Sequence, residues 1–303
     1  MLAIVIPYYK LTFFEFTLES LANQTDQRFK VYFGDDASRE TPSVLLEKHK
    51  GKFDFSYHRF DDNLGGISLV RQWDRCIAMT DEEQWFMILG DDDTLSNTCI
   101  ADFYTCLPEI ESHNCTVIRY ASIINDVLHQ KVSALYTHPK LEKATDFFYR
   151  RFKNQTRSSL SEYIFKKSAY RKYGFYNYDL AWHADDRAWL EFSEFNEIFS
   201  INSSYMSFRL SDENISRDHY KIKEKQQVTV GFFKFVAVRH FFKFKRHQQK
   251  ELLLHYEQLV YMNKKVNFSF WVTLFLLYSG SLHFMQSIKF TRRLLIHLYQ
   301  NVQ

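Results

Sequence analysis

With 303 residues, 46% of them hydrophobic and 25% charged, the chain has the composition of a soluble globular protein. Its length allows a full core, built as one large domain with an appendage or as two domains. A net charge of +3 is too small to argue for nucleic acid as a partner, but from Lys221 onward basic residues heavily outnumber acidic ones, as on a surface that meets something anionic.

Residues 2–6 form a continuous apolar, β-branched run, as expected of a parallel strand buried on both faces. Pro7 stops it. The run is too short for a signal peptide and has no basic n-region, so the chain is expected to start in the cytosol. Residues 13–24 have helical spacing, and residues 29–34 read as a second strand that ends directly at Asp35-Asp36. A helix is expected over 41–50, with Pro42 in its first turn, where a missing N–H costs nothing. A third strand is expected over 53–60 and a helix over 67–79. The fourth strand, 85–89, runs into Gly90-Asp91-Asp92-Asp93. Strands alternating with helices predict right-handed crossovers and a mostly parallel sheet, in which ligands sit at the carboxyl ends of the strands. Both acidic clusters fall at such ends.

Beyond residue 116 the pattern is mixed, with strands expected over 117–124, 161–165 and 197–202 and a helix over 182–195. From Gln226 the chain reads as almost wholly helical, rich in Phe, Leu and Lys. A composition shift near 215–225 marks the expected boundary. Cys76, Cys99, Cys106 and Cys115 form no CxxC pair and no zinc-ligand spacing, which reads as thiols in a reducing compartment.

Three aspartates in a row repel one another unless a cation neutralises them, and hard oxygen ligands suit Mn²⁺ or Mg²⁺. The plain alternative is an acidic surface turn with Asp93 as a helix cap. Asp35-Asp36 likewise reads either as a turn or as a carboxylate that accepts a hydrogen bond from the ring N–H of a nucleotide base.

The segments Ala3-Ile-Val-Ile-Pro-Tyr-Tyr, Leu18-Glu-Ser-Leu-Ala-Asn-Gln-Thr and Val31-Tyr-Phe-Gly-Asp-Asp-Ala-Ser follow one another in a recognisable order. So do Asn63-Leu-Gly-Gly, Phe86-Met-Ile-Leu-Gly-Asp-Asp-Asp, Asp185-Asp186-Arg-Ala-Trp-Leu and Phe208-Arg-Leu with Asn214-Ile-Ser. Together they resemble family 2 glycosyltransferases of the GT-A fold, of the bacterial surface-polysaccharide type, over about residues 2–216. The resemblance implies an α/β, Rossmann-like, mostly parallel sheet flanked by helices. It would place the catalytic domain at 1–220, with a nucleotide-sugar half over about 1–100 and an acceptor half over about 101–220, followed by a helical extension at 221–303.

It also implies roles. Pro7 and Tyr8 would shape the base pocket, Asp36 would bond the base, and Arg71 would lie near the base or the diphosphate. Asp92 matches the metal-binding position of the D-x-D motif, with Asp93 in support and Asp91 near the ribose. Asp185-Asp186 matches the family's acidic pair, Asp186 being the general base. Arg71 could instead form a helix-surface salt bridge, and the acidic pair could simply be helix N-terminal acids. Three departures stand out: Gly90 replaces the first Asp of D-x-D, Asp185 replaces the commoner Glu, and Ser211 sits where a His often follows the closing Arg, with His219 as a substitute.

The implied reaction is inverting transfer from a nucleotide-diphosphate sugar, with a lean toward UDP, to a glycan or lipid-linked glycan. A non-catalytic nucleotide-sugar or glycan scaffold is the alternative from another class. A nucleotidyltransferase is disfavoured because Pro7-Tyr-Tyr-Lys-Leu-Thr is not its Gly-rich, basic first loop. In the C-terminal third, residues 232–247 mix bulky apolar with basic groups, as an interfacial helix does. Residues 266–288 hold no Asp, Glu, Lys or Arg, but polar residues dilute them. Packed helices or an in-plane anchor at the inner face of the plasma membrane are preferred to a span.

Overall fold

Leu2 to Ile6 are wholly buried, because β1 (Leu2–Tyr8) lies inside the sheet with helices over both faces. The computed structural model describes residues 1–212, 221–263, 266–280 and 284–300, and it divides into two compact units, Met1–His219 and Tyr220–Gln303.

In the first unit the chain alternates through α1 (Phe14–Ala22), β2 (Phe29–Asp35), α2 (Ser43–His49), β3 (Asp54–Arg59), α3 (Leu69–Ile77) and β4 (Trp85–Ile88). Strands β3-β2-β1-β4 are parallel neighbours, with Tyr8 opposite Asp35 at the carboxyl edge. The expected strands and helices of this half are all present, with ends shifted by one or two residues. Pro42 sits just before α2, at its cap position rather than inside its first turn.

The second half of this unit differs from the sequence expectation in length and direction. After β5 (Thr94–Leu95) come α4 (Cys99–Ser112), β6 (Val117–Asp126), β7 (Lys131–Val132), β8 (Leu141–Lys143) and α5 (Ala144–Phe152). Then follow β9 (Tyr163–Lys166), α6 (Lys167–Tyr173), α7 (Ala184–Phe192) and β10 (Glu197–Leu210). Strand β9 runs antiparallel between β4 and β6, so the sheet changes sense there. Strand β10 continues eight residues past the expected end, to Leu210, because a bulge between Ile201 and Tyr205 lets it stay in register with β6. Its far end pairs antiparallel with β5, directly after the Asp91–Asp93 turn. Helices α4, α5 and α6 and strands β5, β7 and β8 have no counterpart in the sequence reading.

One buried charge network ties this half together. Arg119 of β6 is wholly buried, donating from Nε to Ser200 Oγ of β10 (2.9 Å) and from Nη2 to Glu142 Oε2 of β8 (2.5 Å), with its guanidinium 4.0 Å from the Phe147 ring of α5. Arg150 donates to the same carboxylate at 2.7 and 2.8 Å.

The second unit is helical: α8 (Ile222–Lys234), extended by a π-helical turn Phe235–Arg239, then α9 (Arg246–Met262), α10 (Phe268–Gly280) and α11 (Phe284–Gln300). Glu257 of α9 is its buried pivot, accepting from Arg293 of α11 at 2.7 and 2.9 Å and from the Tyr278 hydroxyl of α10 at 3.1 Å. The uncharged stretch 266–288 is divided between α10 and α11. Among the described residues no helix is long and apolar enough to cross a membrane.

Removing one member of a buried ion pair leaves the other uncompensated. Glu142→Gln should therefore cost about 3 kcal/mol in urea unfolding, since Arg119 cannot reach water. An unchanged unfolding midpoint would mean that the network contributes nothing to stability.

Candidate functional site

The residues with reactive chemistry arrive from the carboxyl ends of β2 and β4 and from the start of α7. Three consecutive like charges repel, and here the carboxylates of Asp91 and Asp93 in the β4 turn accept from different backbone donors. Asp91 Oδ2 accepts the backbone N–H groups of Tyr9 and Lys10, both at 2.8 Å, which bolts the turn to the loop after β1. Asp93 is buried: its Oδ1 accepts the Arg209 backbone N–H at 3.0 Å, and its carbonyl accepts the Thr17 hydroxyl at 2.9 Å. Arg209 donates from Nε to the Asp92 carbonyl at 3.0 Å, its guanidinium 4.6 and 4.9 Å from the rings of Phe13 and Phe16. Burial and the adjacent Asp92 charge push Asp91 up to about 6 and Asp93 up to about 7.

Gly90 gives the D-x-D departure a physical reason. A Cβ at this position would lie 3.0 Å from Asp92 Oδ1 and 3.1 Å from Asp93 Oδ2. The two carboxylates thus converge on the space that a side chain at position 90 would fill. This pair of hard oxygens fits Mn²⁺ or Mg²⁺, which take one or two protein carboxylates and leave other positions to ligand oxygens and water. No cluster of three or more His, Cys, Asp or Glu poised for a metal occurs among the described residues.

Asp36 is nearly buried. Its Oδ1 accepts the Leu64 N–H and its Oδ2 the Gly65 N–H, both at 2.9 Å, and the Arg75 guanidinium closes on Oδ1. Burial raises its pKa, against the pull of these donors. A carboxylate offers about four acceptor sites, so three are taken by the chain itself. Asp35 is wholly buried at the sheet edge and accepts from Tyr57 (2.6 Å), Arg59 (2.8 Å) and the Ser38 N–H (2.8 Å).

Pro7 is half-buried at the end of β1. Tyr8, expected to line a pocket wall, lies wholly in the core instead, its ring on Phe14 and its hydroxyl on the Glu40 carbonyl (2.7 Å), because its strand position points inward. Arg71 is exposed in the first turn of α3, its N–H on the Ser68 cap.

The acidic pair at the start of α7 is split by its surroundings. Asp186 is 1% exposed, with Arg151 Nη1 at 3.0 Å and His183 Nδ1 at 2.7 Å, and these partners outweigh burial to hold its pKa low. Asp185 is half-exposed, and burial with the neighbouring Asp186 charge pushes it up to about 7. Two acids whose environments drive their pKa values apart are a general acid–base signature. The chain reaches them through left-handed Leu180, Ala181 and His183 (φ 60°, 52° and 66°), a strained approach of the kind that concentrates at functional sites.

The segment before β9 bridges the two clusters. Ser161 Oγ accepts the Gly90 N–H at 3.1 Å, and the Arg157 charge acts on Asp93. Glu162 is ion-paired with Arg157 and acts on Arg151, while Tyr163 feels Asp185. Sequence reasoning assigned no role to Arg75, Arg151, Arg157 or Ser161. Only Arg75 carried a signal, one helical turn after Arg71. Ser211 is buried; His219 and Asn214-Ile-Ser lie outside the described residues.

A sheet with a parallel half ending in acidic turns, continued through an antiparallel strand and flanked by helices, is the GT-A fold. The chain belongs to glycosyl transferase family 2, whose family model matches residues 3–178. It is similar to S. aureus TarS, with a TM-score of 0.61 at 14% identity, over 93% of this chain and 48% of that one. It thus spans about half the length of TarS. Residues 1–349 of S. aureus TarS in complex with UDP-GlcNAc give a TM-score of 0.63 at 13% identity, covering 92% and 80% of the two chains. GalNAc-T7 with UDP, GalNAc and Mn²⁺ gives 0.52 at 8%, covering 86% and 56%. At these identities the likeness is one of fold. A comparison with curated proteins finds no match.

The Asp185 environment sets a pH dependence. The folded state holds this proton up to about pH 7, whereas the ordinary carboxyl value is 3.8, so between these values the folded state binds more protons. Its stabilising contribution is complete below this window and lost as pH rises through it. Asp185→Asn should therefore shrink the fall in urea midpoint across the window, and identical slopes in the two proteins would refute the assignment.

Proposed function

We propose that this chain is an inverting glycosyltransferase. It moves a sugar from a nucleotide-diphosphate sugar, most simply a UDP-sugar, to a hydroxyl of a glycan or lipid-linked glycan in surface polysaccharide synthesis. The observation that carries this reading is the convergence of Asp92 and Asp93 over Gly90, at the end of the central parallel strands, in a member of this family. Asp92 and Asp93 would hold a Mn²⁺ or Mg²⁺, which supplies charge compensation for the leaving diphosphate. Solved structures of similar fold hold UDP, UDP-GlcNAc, or UDP with Mn²⁺, which supports the UDP lean. The fourth acceptor site of Asp36 is the one left for a base N–H. Asp91 serves by fixing the loop after β1, next to where the ribose is expected, and exposed Arg71 lies at the nucleotide edge of α3.

Within the acidic pair, accessibility and pKa favour Asp185 as the group that takes the proton from the acceptor hydroxyl, with Asp186 as its positioning partner. This exchanges the roles suggested by resemblance, because Asp186 is enclosed by Arg151 and His183. A carboxylate near pKa 7 is half-ionised at neutral pH and returns the proton readily. One base and one in-line attack give inversion. A placement at the inner face of the plasma membrane, where lipid-linked acceptors would lie, completes the reading.

Asp92→Asn should weaken Mn²⁺-dependent UDP binding by at least about tenfold while the protein stays folded. Calorimetry giving an unchanged affinity would remove Asp92 from the metal site. Asp185→Asn should lower kcat by about two orders of magnitude with UDP affinity retained. Transfer near the wild-type rate would place the base elsewhere.

A further inference from the structure

In the second unit, α10 and α11 carry no acidic residue and show cations and apolar groups outside. Glu257, the last acidic residue of the sequence, is buried against Arg293 and Tyr278. Helix α10 carries no charge, and it leaves Phe268 84% and Leu276 62% exposed, with Phe275 and Val272 beside them at i, i+4, i+7, i+8 spacing. Its opposite face, Phe270, Trp271, Leu274 and Tyr278, is the buried one. On α11, Met285, Ile288, Leu295 and Ile296 are exposed, interleaved with exposed Lys289 and Arg292. Large apolar side chains exposed in consecutive turns mark an interaction surface rather than chance.

We infer that the exposed faces of α10 and α11 dock in the plane of an anionic lipid bilayer, with Phe268, Phe275 and Leu276 entering the headgroup–acyl boundary and Lys289 and Arg292 on lipid phosphates. This rests on the peripheral placement proposed above and names the surface that achieves it. At 13 residues α10 is about 20 Å long, too short to span, so it lies flat. Bulky apolar groups flanked by cations are the composition of an interfacial helix. Charge selects the occupant: a second copy would set Lys289 and Arg292 against their own kind, with no exposed acid on α10 or α11 to offset them, whereas anionic phosphate complements them.

The test is co-sedimentation of the full-length protein with vesicles of phosphatidylcholine, with and without one-third phosphatidylglycerol. Wild type should bind the anionic vesicles and lose binding in high salt. The combined Phe268→Ser, Phe275→Ser and Leu276→Ser variant should bind at least about tenfold more weakly. Lys289→Gln with Arg292→Gln should lose about fivefold per charge on anionic vesicles alone. These substitutions remove exposed groups, and circular dichroism with UDP calorimetry checks that each variant is folded. Wild type that sediments with neither vesicle, or a triple variant that binds like wild type, overturns the inference. So does self-association of wild type, seen by sedimentation velocity and abolished by the triple variant, since that would make the face an interface between copies. Failure to turn over nucleotide sugar would count against the proposed reaction, not against the docking face, which sedimentation reads by itself.

Discussion

Mutual repulsion among Asp91, Asp92 and Asp93 at the end of β4 is the constraint around which the first unit is organised. Asp91 and Asp93 are held by donors that come from distant parts of the chain. The loop after β1 supplies two N–H groups to Asp91, and β10 brings the Arg209 N–H to Asp93. Helix α1 contributes Thr17 to the Asp93 carbonyl, and Phe16 with the adjacent Phe13 stacks on Arg209. The short pairing of β5 with β10 follows directly from bringing position 209 to this turn. Gly90 belongs to the same solution, because any side chain there would occupy the space where the two carboxylates meet.

The α7 cluster applies the same electrostatics to a different end. Asp185 and Asp186 are neighbours in sequence, yet Asp186 is enclosed by Arg151 and His183 while Asp185 stays half-exposed. Burial raises the cost of ionising Asp185, and the charge of Asp186, held ionised, adds to that cost. The caged acid therefore raises the pKa of its half-exposed neighbour, and the chain enters α7 through left-handed residues. Glu162, through Arg157 on one side and Arg151 on the other, couples the two acidic centres electrostatically.

Glycine and burial also set the third site. Gly65 comes so close to Asp36 that a Cβ would stand 2.5 Å from its Oδ2. The loop at Asn63–Gly66 and the carboxylate thus shape one another. Arg75 adds charge from α3, stacked on Phe60 at 4.0 Å, so that Asp36 is held in place by donors of the chain itself.

The parallel half of the fold was legible in the sequence because each of its elements is decided locally. An unbroken apolar run buries on both faces, a helical period follows, and an acidic turn marks the strand's carboxyl end. The acidic turns at the strand ends were legible for the same reason, since strand-end position and charge can be read residue by residue. The far half was not. The bulge that carries β10 to Leu210, the antiparallel insertion of β9 and the short strands β5, β7 and β8 are specified by neighbours far along the chain, whose hydrogen-bonding partners no local period reports. The same limit separates Tyr8 in the core from Pro7 at the edge, and half-exposed Asp185 from enclosed Asp186. Adjacent residues share composition and charge, but only tertiary packing decides which of two neighbours meets solvent and which meets Arg151. The sequence by itself determined that acidic groups stand at the strand ends and at the start of α7; the packed structure decided how buried each carboxylate is and which partners it meets, because pKa and access depend on groups brought in from elsewhere.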